Sequence, residues 1–473
     1  MHFLISKTKY ILGFLCLAVT IQSGVSCKQS QEASKPAETQ AQTDTAANDA
    51  ITESENERIE APANAVENTP SIENTDAQNS SAQQESQDVK AEPEPPKSPL
   101  ETALQQAQAA PNDPAKSAAY LSLLLESKQF ETFRSFYRTM PYIVRSNPEI
   151  RALYYRSFNE DPDFTTETET IAAPVCDEIS PLGGGTTLTF KFLKNGEKIG
   201  AFKPHQKRRN SSYRSEIASW RLNQLLQCDF YIPRNRAVRV EKQEFNRLYD
   251  LSKSPKRDSY RSGFGDLIWT KLKGTYVYGT LKDWVPDFTS FPIEFVALWR
   301  DWVGQENYVD TFPPLDKALE PIKKHDNIAH FYDDVMAQAG NLTTKGLADQ
   351  ISQLLTFDYL IGNWDRFSIL REQRGRNCQF KDGRFVSIDN GASFVAVDMK
   401  YVTMRFNRIE RFNRRFVEEI RMLDKEETFK ILFPQQSKTD RANFAQFWQR
   451  RDEVLARIDA LIQQYGEDKV LSF

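Results

Sequence analysis

One stretch, residues 357–391 (FDYLIGNWDRFSILREQRGRNCQFKDGRFVSIDNG), constrains this chain more than any other. Leu347, Ile351, Leu354 and Leu355 recur at helical spacing and predict a buried helix running to Ile361, which leaves Asp365 on the loop that follows. A second aspartate, Asp389, ends a short apolar strand, and Asn390-Gly391 makes a turn after it. A carboxylate on a loop can accept the proton of an attacking hydroxyl, and one at a strand end can hold a metal against phosphates. Together they suit phosphoryl transfer. A D-N-G after a strand is by itself a common β-turn, so residues upstream must supply the rest.

They do so in a telling order. Gly183, Gly184 and Gly185 precede a run of β-formers, Asn195-Gly196 reads as a hairpin turn, and a second strand ends at Lys203-Pro204. Backbone N–H groups of a glycine loop can approach anionic oxygens closely. Lys203 is placed to contact nucleotide phosphates, and it needs a carboxylate to fix its long stem. Glu216 supplies one at the start of an amphipathic helix marked by Ala218, Leu222, Leu225 and Leu226. Strand-like runs at 232–240 and 266–272 complete a small, mostly antiparallel sheet, with the second run expected as the hinge and the nucleotide base expected near Trp269. For 281–339 the sequence suggests short helices and no chemistry, and His325 and His330 stand isolated.

The series FKP, SEIASWRL, FDYLIGNWDRF and SIDNGASF resembles the atypical secretory-pathway kinases typified by Golgi casein kinase and Four-jointed, and more remotely HipA-type and phosphatidylinositol kinases. The resemblance covers residues 181–397 and implies an α+β, two-lobed protein-kinase-like fold. It implies a small antiparallel β N-lobe at 175–272 and a helical C-lobe at 273–473. It also implies Lys203 and Glu216 as an ion pair, Asp365 as catalytic base, Asp389 as ligand of Mg²⁺ or Mn²⁺, and ATP as cofactor. Many such kinases carry a metal-binding asparagine five or six residues after the catalytic aspartate, where this chain has Leu370 and Arg371. Asn377, beyond the basic insertion REQRGR, is the candidate to take that role. The expected acceptor is a hydroxyl of protein Ser or Thr, with sugar and lipid hydroxyls as alternatives; the rival reading is a nucleotide-binding pseudokinase acting as a scaffold.

The ends of the chain address location. Lys7 and Lys9 precede an apolar run, and small residues lead to Cys27, so residues 1–27 read as an export signal. GVSC resembles a bacterial lipobox, with Gly24 where leucine is usual, and lipid on Cys27 would anchor the chain to a membrane. Residues 28–97 read as a disordered tether, and 28–96 hold 15 acidic residues against 4 basic ones. The whole chain carries only −4, so the folded part is mildly basic. Cys176, Cys228 and Cys378 have no metal spacing and are expected as isolated buried thiols.

Residues 98–160 read as short amphipathic helices packed on the main domain. Asp113-Pro114 and Asn147-Pro148 lie 34 residues apart, a tetratricopeptide-like period. The arginines of RFNRIERFNRR, 405–415, are expected to form a solvated face paired with Glu410, Glu418 and Glu419, or else to bind an acidic partner. Residues 444–465 predict a long amphipathic helix. An exported, mildly basic domain is a poor fit to nucleic acid.

Overall fold

The structure, a computed structural model, describes residues 97–165, 168–171, 175–183, 187–208, 211–367, 377–395 and 399–473. The export signal, Cys27, the tether up to residue 96, Gly184, Gly185, Leu370 and Arg371 lie outside the described residues. All that is described belongs to one compact unit, Ala91–Phe473.

It begins with helices α1 (Pro99–Ala109), α2 (Pro114–Glu126), α3 (Phe130–Thr139) and α4 (Pro148–Asn159). The 34-residue period comes from capping chemistry. Asp113 and Asn147 each accept from the two N–H groups at the start of a helix whose first residue is proline. Fully buried Phe133, Tyr137, Tyr154 and Phe158 run into the core of the helical lobe. Arg145 and Arg151 both pair with Glu419, itself fully buried. The preface is therefore an integral layer of the domain.

Seven strands form the first sheet: β1 (Glu169–Ile171), β2 (Glu178–Pro181), β3 (Phe190–Lys194), β4 (Glu197–Pro204), β5 (Asn235–Glu241), β6 (Trp269–Leu272) and β7 (Gly274–Asp283). Their order is β1-β5-β7-β4-β3-β2, with β6 on the outer part of β7. Only β1 pairs in parallel, with β5. One face buries Phe190, Phe192, Phe202, Val238, Val240, Val277 and Leu281, a core separate from that of the helical lobe. Two cores, one around a sheet and one among helices, give the expected two-lobed α+β fold.

The expected N-lobe boundary at Leu272 needs correction, because β7 lies between β5 and β4 in the same sheet. The chain passes to the helical lobe after Asp283, so 266–272 is not the hinge. Trp269 packs on Phe245, with ring centroids 5.8 Å apart.

Helix α5 (Tyr213–Leu226) crosses beside the sheet, and α6 (Thr344–Ile361) and α7 (Lys438–Tyr465) are the long helices of the second lobe. A three-stranded sheet of β8 (Thr289–Ser290), β9 (Cys378–Lys381) and β10 (Arg384–Ser387) lies in that lobe, and β10 leads directly to Asp389. The arginine-rich segment is turned largely inward. Arg411 is 2% exposed, bonded to the carbonyls of Trp302 and Val309, and stacked over Tyr308, Phe312 and Phe473. Arg405 is buried over the ring of Phe367. Cys176, Cys228 and Cys378 are free and buried, and burial pushes the Cys378 thiol up to about 12.

Candidate active site

Lys203 lies at the end of β4, paired in register with Thr280 of β7. Phe202 points into the sheet's core, so alternation sends Lys203 to the opposite face, toward α5. Ser212 caps α5 through the N–H of Ser215, which places Glu216 in the first turn. The Ser212 N–H also donates to the Gly391 carbonyl at 3.0 Å, and Ser215 Oγ to the Ser393 carbonyl at 2.7 Å. The start of α5 is thus fastened to the D-N-G turn.

Glu216 is fully buried and receives three donors. Its Oε1 accepts from Lys203 Nζ at 3.1 Å; its Oε2 accepts from the Asn390 N–H at 2.9 Å and forms an ion pair with Lys282 Nζ at 3.0 Å. Lys203 also donates to Asp389 Oδ1. Burial opposes charge on Lys203, but Glu216 and Asp389 outweigh it and hold its pKa above the ordinary value. Burial would raise the Asp389 carboxyl, yet Lys203 and Lys282 hold it down at about 2. Asp389 has φ +55°, in the left-handed region that aspartate tolerates. Its side chain is 41% exposed, open enough to take a further ligand. Gly391 is required by close approach: a Cβ there would lie 2.7 Å from Lys203 Nζ and 3.3 Å from Glu216 Oε1.

Asp365 follows α6 on a one-turn 3₁₀ helix, Trp364–Arg366, whose N-cap Asn363 accepts from the Asp365 N–H at 3.3 Å. Burial raises the Asp365 carboxyl pKa, and the negative charge of Asp389 raises it further, while Lys203 opposes both. The three groups therefore share one electrostatic site.

Arg366, next to Asp365 in sequence, pairs elsewhere. It is fully buried and bidentate on Asp358, with both contacts at 3.0 Å, and donates to Ser387 Oγ at 2.6 Å and Asn390 Oδ1 at 2.7 Å. Asn363 joins the same network through Asp358 and Asn390. A satisfied buried network of this kind fixes the loop of Asp365 relative to the turn of Asp389.

Asn377 donates its amide to the Asp365 carbonyl at 2.8 Å and so braces the loop of Asp365. Any metal contact by this side chain would run through Oδ1. Gly183 departs from expectation, because its N–H donates to Tyr260 Oη at 2.7 Å instead of facing a phosphate. The Lys256 ammonium lies against the same glycine. Lys282, Tyr260 and Lys256 were not foreseen from sequence.

Among the described residues no three or more His, Cys, Asp and Glu side chains gather into a metal cluster. Asp389, a hard oxygen donor, is the residue that would hold Mg²⁺ or Mn²⁺, which would supply positive charge against phosphate oxygens.

No protein-family profile matches the chain, and no curated protein matches it in sequence. Among solved structures it is similar to hydra Fam20 with sugar, at 14% identity over 67% of this chain and 92% of that one, with a TM-score of 0.41. The Golgi casein kinase with Mn and ADP bound follows at 13% identity, 68% and 79% coverage and a TM-score of 0.38. The Helicobacter pylori proinflammatory kinase CtkA stands at 14% identity, 62% and 99% coverage and a TM-score of 0.33.

Proposed function

We propose that the protein is a kinase that transfers the γ-phosphate of ATP to a hydroxyl, with protein Ser or Thr as acceptor. One observation carries this reading: Lys203, paired with fully buried Glu216, also binds Asp389, and the buried Arg366 network ties the Asp389 turn to the loop of Asp365. Lys203 positions phosphates, and Glu216 fixes the lysine's rotamer. Asp365, with its carboxyl pKa raised by burial and by Asp389, is suited to accept the proton of the acceptor hydroxyl. A Mg²⁺ or Mn²⁺ ion held by Asp389 would neutralise charge developing on the phosphates. Residues 1–27 and the acidic tether support export, with lipid on Cys27 holding the kinase at a membrane of the cell envelope.

The test is ATP turnover and acceptor labelling by the full chain with Mg²⁺ or Mn²⁺, beside Asp365→Ala and Asp389→Ala. Asp389→Ala is expected to weaken metal-dependent nucleotide binding, whereas Asp365→Ala keeps binding and loses chemistry. Tight ATP binding without turnover under either metal would favour the scaffold reading. Equal nucleotide affinity in wild type and Asp389→Ala would remove the metal assignment.

A further inference from the structure

A cavity of about 340 Å³ lies against α5, beside the turn that carries Glu216 but facing another way. Its α5 wall is made by Tyr213, Arg214, Ile217 and Arg221, positions roughly 60–160° round the helix from Glu216 at 100° per residue. Ala237 of β5 and Phe433 of the helical lobe close other sides.

Arg221 is the unusual member. It is 4% exposed, its NH1 donates to the Ile431 carbonyl at 2.9 Å, and its Nε has no hydrogen-bond partner. No carboxylate pairs with it among the described residues. Burial alone, with no anion to offset it, lowers its pKa to about 10. Arg214, by contrast, pairs with Asp440 at 3.2 Å. A buried guanidinium without a counter-ion is costly, and an anion entering beside it would relieve that cost.

We propose that this cavity binds a small organic acid, its carboxylate paired with Arg221 and its hydrocarbon part against Ile217 and Phe433. The volume falls in the lower range of small-molecule sites, and a guanidinium with no carboxylate partner, beside the apolar side chains of Ile217, Leu432 and Phe433, suits a monoanion with a hydrocarbon part. A phosphate dianion fits poorly, because Asp440 also lines the cavity. The occupant would bridge α5 to the helical lobe, which already share the Arg221 bond to Ile431 and the Arg214–Asp440 pair. The proposal concerns binding at a separate site and stands whether or not the chain transfers phosphate.

The test uses the full chain, with calorimetric titration and thermal melting in hexanoate and benzoate, beside hexanol, benzyl alcohol and inorganic phosphate. Two variants accompany it. Arg221→Met removes the charge at similar volume, and Ala237→Leu fills the cavity from the sheet side without touching Arg221. The expected result is saturable binding of the acids, about tenfold or more weaker for the alcohols, and lost in both variants. Arg221→Met is expected to melt no lower than wild type, because it removes an unpaired buried charge. Equal binding of acids and alcohols, undiminished acid binding by Arg221→Met, phosphate binding in place of the acids, or no saturation below about 10 mM would each overturn the proposal.

Discussion

Lys282→Met tests the least expected part of the site. Lys282 Nζ lies 3.0 Å from Glu216 Oε2, with side chains 12% and 0% exposed. At an effective dielectric near 20, unit charges at that separation attract by about 5 kcal/mol, and the cost of removing both from water offsets most of it. Glu216 would keep Lys203 and the Asn390 N–H. The loss should therefore fall below the ~3–5 kcal/mol of a stranded buried charge, at about 1–3 kcal/mol. The effect on ligand should be larger in kind. Lys203 would become the sole cation on Glu216 while still serving Asp389, and it would yield less readily to phosphate. ADP affinity with Mg²⁺ is expected to fall about tenfold, a difference of about 1.4 kcal/mol. Urea unfolding and calorimetric titration measure the two effects, with Lys282→Arg as the variant that should recover most of both. A Lys282→Met protein as stable as wild type, with the same ADP affinity, would mean that Lys203 alone holds Glu216.

Three further outcomes are expected. Gly391→Ala places a methyl group 2.7 Å from Lys203 Nζ, so the ammonium must shift although no charge is removed; turnover should drop at least tenfold with little change in melting temperature, and unchanged turnover would contradict the close-approach account. Glu419→Gln leaves Arg151 without a carboxylate partner in a buried site while Arg145 keeps Glu418, and thermal or urea unfolding should register a loss of about 3–5 kcal/mol. The acid limb of kcat/KM should lie above 3.8, the ordinary aspartate value, because Asp365 acts deprotonated and its pKa is raised. Asp389, held at about 2, stays ionised through that limb and does not define it. A midpoint at or below 3.8 would place the base elsewhere.

What the sequence disclosed follows from local chemistry. Helix α6 was legible because Leu347, Ile351, Leu354 and Leu355 repeat at one helical period, and all four are buried. Lys203, Glu216, Asp365 and Asp389 were legible because each sits beside a local marker: a strand end, a helix start, a loop, a turn. Strand β7 was hidden by its glycines, Gly274 and Gly279, a residue type that ordinarily punctuates strands. At Gly279, however, a Cβ would lie 2.5 Å from the Lys203 carbonyl, so this glycine permits β4 and β7 to pack rather than ending a strand. Missing β7 also concealed Lys282, which sits on it. The role of Arg366 was hidden for a different reason. Its neighbour in sequence is Asp365, but its partners, Asp358, Ser387 and Asn390, come together only through the tertiary fold.

The pair of lysines bears on how such a site can work without moving a helix. Lys203 contacts both Glu216 and Asp389, so a cation at Asp389 competes with its ammonium for the same carboxylate. If Lys203 were the only cation on Glu216, turning toward a phosphate would strand a fully buried carboxylate, at about 3–5 kcal/mol. Helix α5 would then have to swing away to find water. Lys282 changes that balance, because it and the Asn390 N–H hold Glu216 while Lys203 exchanges one anionic partner for another. The bonds from Ser212 to Gly391 and from Ser215 to Ser393 keep α5 seated during the exchange. In the proposed kinase Lys203 would thus be the movable member of the site, and Glu216, held from three sides, the fixed one.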